Sequence, residues 1–396
     1  MPKRVSFLLG SGISIPAEMP SLTTITERVL SGSGVVRHTD GRYYLGGPDR
    51  DIMTGYVERC VEFLKILCSE IEKYYKSRPY HKSPPNYEDL YYVAFQIYES
   101  EVGAHDNPVV QPFVDRILPD IKRLLVGRQD DIEKEWQLYK IAEEATHYIH
   151  DIVTDVLGVE PADVSYLRCI GDACLEMGIE LDLFTLNHDK VLEKYLDNSR
   201  VAYTEGFEST ENGYRYWSPE VFQQSIHKVR LFKLHGSVRW FRYEPNAATG
   251  RNDPVGMAID GRHWLIEDPH GQLRLRHWDR SMLLVGTFNK VPEYTNRIFA
   301  DLFYEFRRSL RQTDILVVCG YGFGDRGINM QIADWAFSSN EVLIVVIHGK
   351  PEDLKDNAGP IIYKNWDRWI SEGKMLLIER WVQDASWKGV RDILPR

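Results

Sequence analysis

Residues Val5 to Ser14 read VSFLLGSGIS, a short apolar run that delivers the chain straight into Gly10-Ser11-Gly12 and a hydroxyl residue. Such a run reads as the buried first strand of a doubly wound sheet, whose C-terminal turn must bring bare backbone against a phosphate. GSG also serves ordinary tight turns, so its meaning depends on what lies downstream.

Downstream the same rhythm returns after a long interruption. Glu180 to Thr185, Leu231 to Leu234, Ser281 to Val285, Thr313 to Cys319 and Val342 to His348 are short apolar runs separated by helical or polar stretches, and Met375 to Ile378 adds an edge strand. The pattern predicts an α/β fold: a doubly wound, parallel, Rossmann-like sheet with a large helical insertion after the first βα unit. A helix is expected near Ser21 to Leu30, with Thr24 and Glu27 at capping-box spacing, and Asp40-Gly41 signals a hairpin. From 51 to 177 the period is helical, with Val57, Val61, Leu64, Leu67, Ile71 and Tyr74 on one face and further helices near 87–101, 109–126, 130–157 and 162–177. We therefore expect one domain from 1–50 and 178–396, and a helical subdomain over 51–177. Its aromatics, such as Tyr91, Tyr92, Phe95 and Tyr98, read as core or protomer contacts. Segments 203–220 and 241–280 are turn-rich and read as a small lobe or surface loops.

The composition narrows the class of function. No apolar stretch approaches the ~18 residues needed to span a bilayer, and no secretory leader pattern opens the chain, so a cytoplasmic, membrane-free protein is expected. With 48 basic against 58 acidic residues the net charge is −10, which disfavours a nucleic-acid footprint; Arg307, Arg308 and Arg311 read as a solvated helix face. The five cysteines are scattered and form no C-x-x-C pair, so no zinc module is expected, and Cys60 and Cys68 read as small buried hydrophobes.

Four of the runs end in polar clusters: Gly10-Ser11-Gly12-Ile13-Ser14, Leu186-Asn187-His188-Asp189, His235-Gly236-Ser237, and Gly320-Tyr321-Gly322-Phe323-Gly324-Asp325 with Asn329 just beyond. In an open parallel sheet the carboxyl ends of the strands hold the ligand, so these loops should converge.

At these residues the sequence resembles the sirtuin family, and specifically the sirtuin-like domains of bacterial antiphage defence. GSGIS is similar to the family's GAGIS; TLNHDKVLE, Thr185 to Glu193, resembles its T-x-N-x-D segment; KLHGS, Lys233 to Ser237, resembles its histidine motif; and GYGFGDRGIN, Gly320 to Asn329, resembles the GYSFGD-x-x-IN signature of the defence branch. The resemblance covers about 4–30 and 180–350 and not the helical insertion. It lacks the cysteine quartet that holds a zinc ribbon in protein-deacylating sirtuins.

The resemblance implies that NAD+ is bound as a substrate and its nicotinamide–ribose bond cleaved through an oxocarbenium-like state. His235 would take a proton from a ribose hydroxyl or from water. Asn187 would hold the ribose hydroxyls and the attacking water, and Asp189 would fix that arrangement or stabilise developing positive charge. Both also suit helix capping ahead of Val191, and His188 reads as a bystander. Gly10, Ser11, Gly12, Ile13 and Ser14 would cradle the pyrophosphate, with Gly10, Ser11, Gly12 and Ser14 offering backbone amides. Gly236, Ser237, Gly320 and Tyr321 would line the ribose and adenine side, Gly322 would permit close backbone approach, and Asp325 and Asn329 would either touch the ligand or cap the helix from Gly327 to Phe337.

The expected function is an NAD hydrolase that depletes NAD in antiphage, abortive-infection defence. The alternatives are an NAD-dependent protein deacylase or ADP-ribosyltransferase, or a catalytically silent NAD-sensing module. The chain ends soon after the sheet, so a separate partner is expected; the resemblance suggests a HerA-type ring ATPase, with residues 51–177 as a surface for homo-oligomerisation.

Overall fold

Seven short strands lie side by side in the computed structural model, and every pairing between them is parallel. The structure describes residues 4–46, 52–77, 84–104, 108–127, 136–208, 214–224, 226–243, 255–258, 265–267, 273–275, 280–286 and 290–395. The strands are β1 (Arg4–Leu9), β2 (Glu180–Thr185), β3 (Tyr203–Thr204), β4 (Val229–Lys233), β5 (Ile315–Cys319), β6 (Leu343–Ile347) and β7 (Met375–Ile378), in the order β7-β6-β5-β1-β2-β4-β3. The chain builds outward from β1 through β2 to β4, then returns to the other side of β1 with β5. That reversal is the switch point at which doubly wound sheets open a ligand crevice. Register brings Leu9, Thr185, Lys233 and Cys319 to one level, so the four polar clusters leave the sheet along a single edge.

Two expectations change here. Ser281 to Val285 does not join the sheet; Met282–Leu283 instead pairs antiparallel with Gly236–Ser237, just beyond β4. The edge next to β4 is filled by the two-residue β3, which has too little apolar pattern to register as a strand on its own.

Strands β5 and β6 are buried along their whole length, as helices on both faces of a sheet require. Leu8, Phe184, Phe232, Leu316, Val318, Ile344 and Val346 face one side at the two-residue strand period. They meet helices Arg297–Leu310, Arg326–Ser338 and Pro360–Ser371 through Phe306, Ile332 and Trp366. Phe184 stacks on Phe232 and meets Phe306 edge-on, both at 4.8 Å. Each such aromatic contributes about 1.5–3 kcal/mol of burial. The opposite face is covered at Phe7 by Trp387, with ring centroids 6.1 Å apart.

A second compact unit comprises Pro20–Val159 with Val285–Asn289. Its helices are α1 (Leu22–Ser31), α2 (Tyr56–Lys76), α3 (Tyr87–Glu101), α4 (Val110–Ile121) and α5 (Leu138–Leu157). It begins ahead of residue 51 and closes before 177, because α1 packs on α5, where the Tyr148 hydroxyl donates to the Val29 carbonyl at 2.8 Å. The cap of α1 is Ser21, whose Oγ accepts from the Thr24 amide at 3.1 Å, so Thr24 is inside the helix rather than at its cap. The hairpin of Val35–Arg37 and Tyr43–Leu45 forms, but its turn is longer than the two residues expected: the His38 amide donates to the Arg42 carbonyl at 2.9 Å, so Thr39, Asp40 and Gly41 make the loop, with Gly41 at φ +84°. It is fastened to α5 by a buried bidentate pair, Arg37 Nε and Nη2 to Glu144 at 2.9 and 2.7 Å, with the Tyr43 hydroxyl donating to the same carboxylate at 2.6 Å. Tyr91, Tyr92, Phe95 and Tyr98 are half-buried on α3. The 130–135 portion of the expected fifth helix lies outside the described residues.

Candidate active site

Glycine at 10, 12 and 320 lets the loops after β1 and β5 interlock. The Gly10 amide donates to the Cys319 carbonyl at 3.1 Å and the Gly12 amide to the Gly320 carbonyl at 2.9 Å. Gly320 sits at φ +67°, and a Cβ there would stand 2.5 Å from the Ile13 amide nitrogen. No other residue combines that backbone with that approach. The Ile13 and Ser14 amides turn back to Gly10 and Ser11 at 3.1 and 2.9 Å. Of the four amides expected to face a phosphate, those of Gly10, Gly12 and Ser14 are thus hydrogen-bonded within the loop pair, and Ser11 lines the adjoining cleft. A tight turn satisfies its own donors when another backbone lies this close.

The loop pair instead forms one wall of a cleft of about 480 Å³, lined by Ser11, Gly12, Tyr321, Gly322, His348 and Trp381 among others. Trp381 lies flat over Gly349, where a Cβ would come within 2.2 Å of the indole, and meets His348 edge-on at 4.9 Å. Neither aromatic stood out in the sequence, because each follows its strand in a short segment with no recurring pattern.

Asn187 emerges two residues past β2. Its Nδ2 donates to the Gly10 carbonyl at 3.1 Å and to Ser14 Oγ at 3.0 Å, which fixes the orientation of the amide. Its Oδ1 is then a buried acceptor with no donor among the described residues. A buried amide oxygen left unpaired costs about 1–3 kcal/mol, the kind of deficit a ligand hydroxyl or a water repays. Asp189 takes the capping alternative: its Oδ1 accepts from the Val191 amide at 3.0 Å, at the start of helix Val191–Asn198. Burial pushes its carboxyl above the ordinary range, against the pull of Lys233. Lys233 is itself buried at the end of β4, paired with Glu193 at 2.8 Å and donating to the Asp189 carbonyl at 2.5 Å. That pair fastens the Asn187 loop. Its signal in the sequence was a lone lysine closing an apolar run, since a buried lysine requires a partner.

His235 follows β4 and is 4% exposed. Gly236 after it adopts φ +84°, and a Cβ there would lie 2.0 Å from the Met282 carbonyl oxygen. The Leu284 amide donates to the His235 carbonyl at 2.9 Å, so the short antiparallel pair buttresses the histidine. His235 Nε2 lies 2.7 Å from the Tyr294 hydroxyl and 3.2 Å from Asp325 Oδ2, while that hydroxyl donates to Asp325 Oδ2 at 2.9 Å. Burial alone would raise the Asp325 carboxyl, but the hydrogen bond and charge of His235, the charge of Lys290 and the Ile328 amide hold it well below the usual carboxylate range.

The remaining expected residues divide. Asp325 caps helix Arg326–Ser338 through the Ile328 amide at 2.9 Å and turns its other oxygen to His235. Asn329 is committed to its own loop: its Nδ2 donates to the Phe323 carbonyl at 2.7 Å and its Oδ1 accepts from the Tyr321 hydroxyl at 2.9 Å. Both groups are thereby spent on loop structure, and of Tyr321 and Asn329 only Tyr321 lines the cleft. Ser237 Oγ accepts from the Arg239 amide at 3.3 Å.

With this geometry in place, residues 182–365 match the family model of the SIR2-like domain. Three solved structures are similar over nearly the whole chain. A Sir2 homologue in complex with NAD is 12% identical, with 99% of this chain and 90% of that one covered and a TM-score of 0.38. A mutant Sir2 homologue in complex with ADP ribose is 11% identical, with 99% and 92% covered and a TM-score of 0.36. A sirtuin from a study of substrate affinity is 10% identical, with 99% and 93% covered and a TM-score of 0.37. No curated protein matches the chain. Among the described residues, no helix is long and apolar enough to cross a membrane.

Proposed function

We propose that the protein is an NAD+ glycohydrolase, cleaving the nicotinamide–ribose bond to release nicotinamide and ADP-ribose. The observation that carries this reading is Asn187, a residue of the sirtuin-like motif whose pinned amide leaves one buried oxygen for a hydroxyl donor, on the same sheet edge as His235. The SIR2-like match over residues 182–365 supports the same class of chemistry.

In this reading the cleft beside Ser11, Tyr321 and Trp381 receives the adenosine side of NAD+, and Trp381 offers a face for the base. Asn187 Oδ1 accepts from a ribose hydroxyl or from the attacking water. As the glycosidic C–N bond breaks, its electron pair returns to the pyridinium ring, and nicotinamide leaves neutral. The water oxygen bonds to the anomeric carbon, and its proton passes to His235 and on to solvent. Asp189 holds the loop that carries Asn187. Release of nicotinamide on incubation with NAD+ alone is the test; NAD+ consumed only when an acylated peptide is added would replace this reading with the deacylase one.

The wider role proposed is that of a cytoplasmic effector that depletes NAD in antiphage defence. It would assemble with copies of itself and with a HerA-type ring ATPase, the helical unit offering the association surface, without direct contact to nucleic acid or membrane. Co-elution of the two purified proteins is expected, and a chain that stays monomeric and never associates would count against this part.

A further inference from the structure

We infer that Tyr294 and Asp325 are positioning residues for His235, together fixing which imidazole nitrogen carries the proton and which is left to act as the base. The inference rests on the NAD-cleaving reading of the site for its role in turnover, but its geometry stands separately.

The direction of the hydrogen bonds follows from the donors available. The Tyr294 hydroxyl has one proton and gives it to Asp325 Oδ2 at 2.9 Å. Its oxygen, 2.7 Å from His235 Nε2, can then only accept, so Nε2 is the protonated nitrogen and Nδ1 the basic one. Asp325 Oδ2 is also 3.2 Å from Nε2, close enough to stabilise the imidazolium that forms when Nδ1 takes up a proton. His235 and Tyr294 are each 4% exposed, so solvent screens this attraction little.

Each member of the group is held from behind. The Tyr294 ring stacks on Phe303 with centroids 4.4 Å apart and planes at 11°, and lies against Gly327, where a Cβ would come within 2.8 Å of it. Asp325 divides its carboxylate: Oδ1 caps the helix at Ile328, and Oδ2 faces the histidine. A cap alone needs one oxygen. Charged or titratable groups near the pair among the described residues include Lys290, at the start of the short helix Lys290–Glu293 before Tyr294, and His188, whose ring centre is 6.2 Å from that of His235. Lys290 keeps Asp325 ionised, which favours the same proton arrangement.

Two substitutions separate positioning from structure. Asp325→Asn keeps a capping oxygen and removes the charge; Tyr294→Phe keeps the stacked ring and removes the hydroxyl. The full-length chain, labelled with [15N]histidine, reports the tautomer of His235 without any substrate, its signals assigned by their loss in His235→Ala. We expect one fixed Nε2–H tautomer in the wild type and a mixed population in both variants. In NAD+ turnover, Asp325→Asn lowers kcat about 100-fold with little change in KM, within the span of general-base effects. The acid limb of its pH profile moves to lower pH, because the carboxylate that favoured the imidazolium is gone. Variants that keep the wild-type tautomer and pH profile, and lose only stability, would reduce Asp325 to a helix cap and overturn the inference. A fixed tautomer in a wild-type protein that never consumes NAD+ would leave the proton assignment standing and remove the hydrolase reading instead.

Discussion

At the scale of single residues, the site is built from groups with few options. Asn187→Ala removes two hydrogen bonds and the unpaired acceptor together, so it should abolish NAD+ loss while costing about 1–2 kcal/mol of stability, read by nicotinamide release and thermal unfolding side by side. His235→Ala should do the same, and full turnover in either variant would refute its assigned role. Asp189 behaves oppositely in stability. Its folded-state carboxyl titrates above the unfolded one, so its ionised form is disfavoured in the folded protein, and stability falls as pH rises through that interval. Asp189→Asn should therefore be at least as stable as the wild type at pH 7, and the difference should vanish below about pH 3, where the carboxyl is protonated in both states. Denaturant titrations at the two pH values check this; a large loss at pH 7 would show that Asp189 is needed as a charge. Gly320→Ala should cost about 1–3 kcal/mol, from a left-handed backbone and a 2.5 Å approach to Ile13, seen as a lowered Tm.

Among the elements, the parallel sheet was legible because its runs are short, continuous and apolar, and β2 and β7 fall where the pattern ends. Ser281 to Val285 has the same apolar look yet serves as an antiparallel prop behind His235, because period and composition carry no information about strand partners. Asn187 and His235 were legible from motifs at strand ends. Tyr294 was not: it belongs to a turn with no motif, and only the fold brings it to His235 from 59 residues away. The glycine spacing signalled a close backbone approach, and the structure shows that the Gly320 loop is one such neighbour. Within the helical unit, Glu144→Gln should leave the buried Arg37 without its counter-charge and cost about 3–5 kcal/mol, measured by denaturant unfolding. A cost below about 1 kcal/mol would mean the hairpin is held by packing alone.

At the scale of the whole molecule, a doubly wound sheet opens a cleft at its switch point, and a second compact unit is helical; association is the role we propose for it. The sheet supplies an edge on which loops from β1, β2, β4 and β5 meet, bringing Asn187 to Gly10 and His235 to Asp325 although these residues are distant in the chain. The central claim is that this edge hydrolyses NAD+. The most direct measurement follows NAD+, nicotinamide and ADP-ribose by proton NMR with the purified full-length chain, alone and mixed with a HerA-type ring ATPase, in the absence of any acylated peptide. The account predicts nicotinamide and ADP-ribose appearing in equal amounts as NAD+ disappears, and no such change with Asn187→Ala. NAD+ that survives both conditions, or that is lost only once an acylated peptide is supplied, would contradict it.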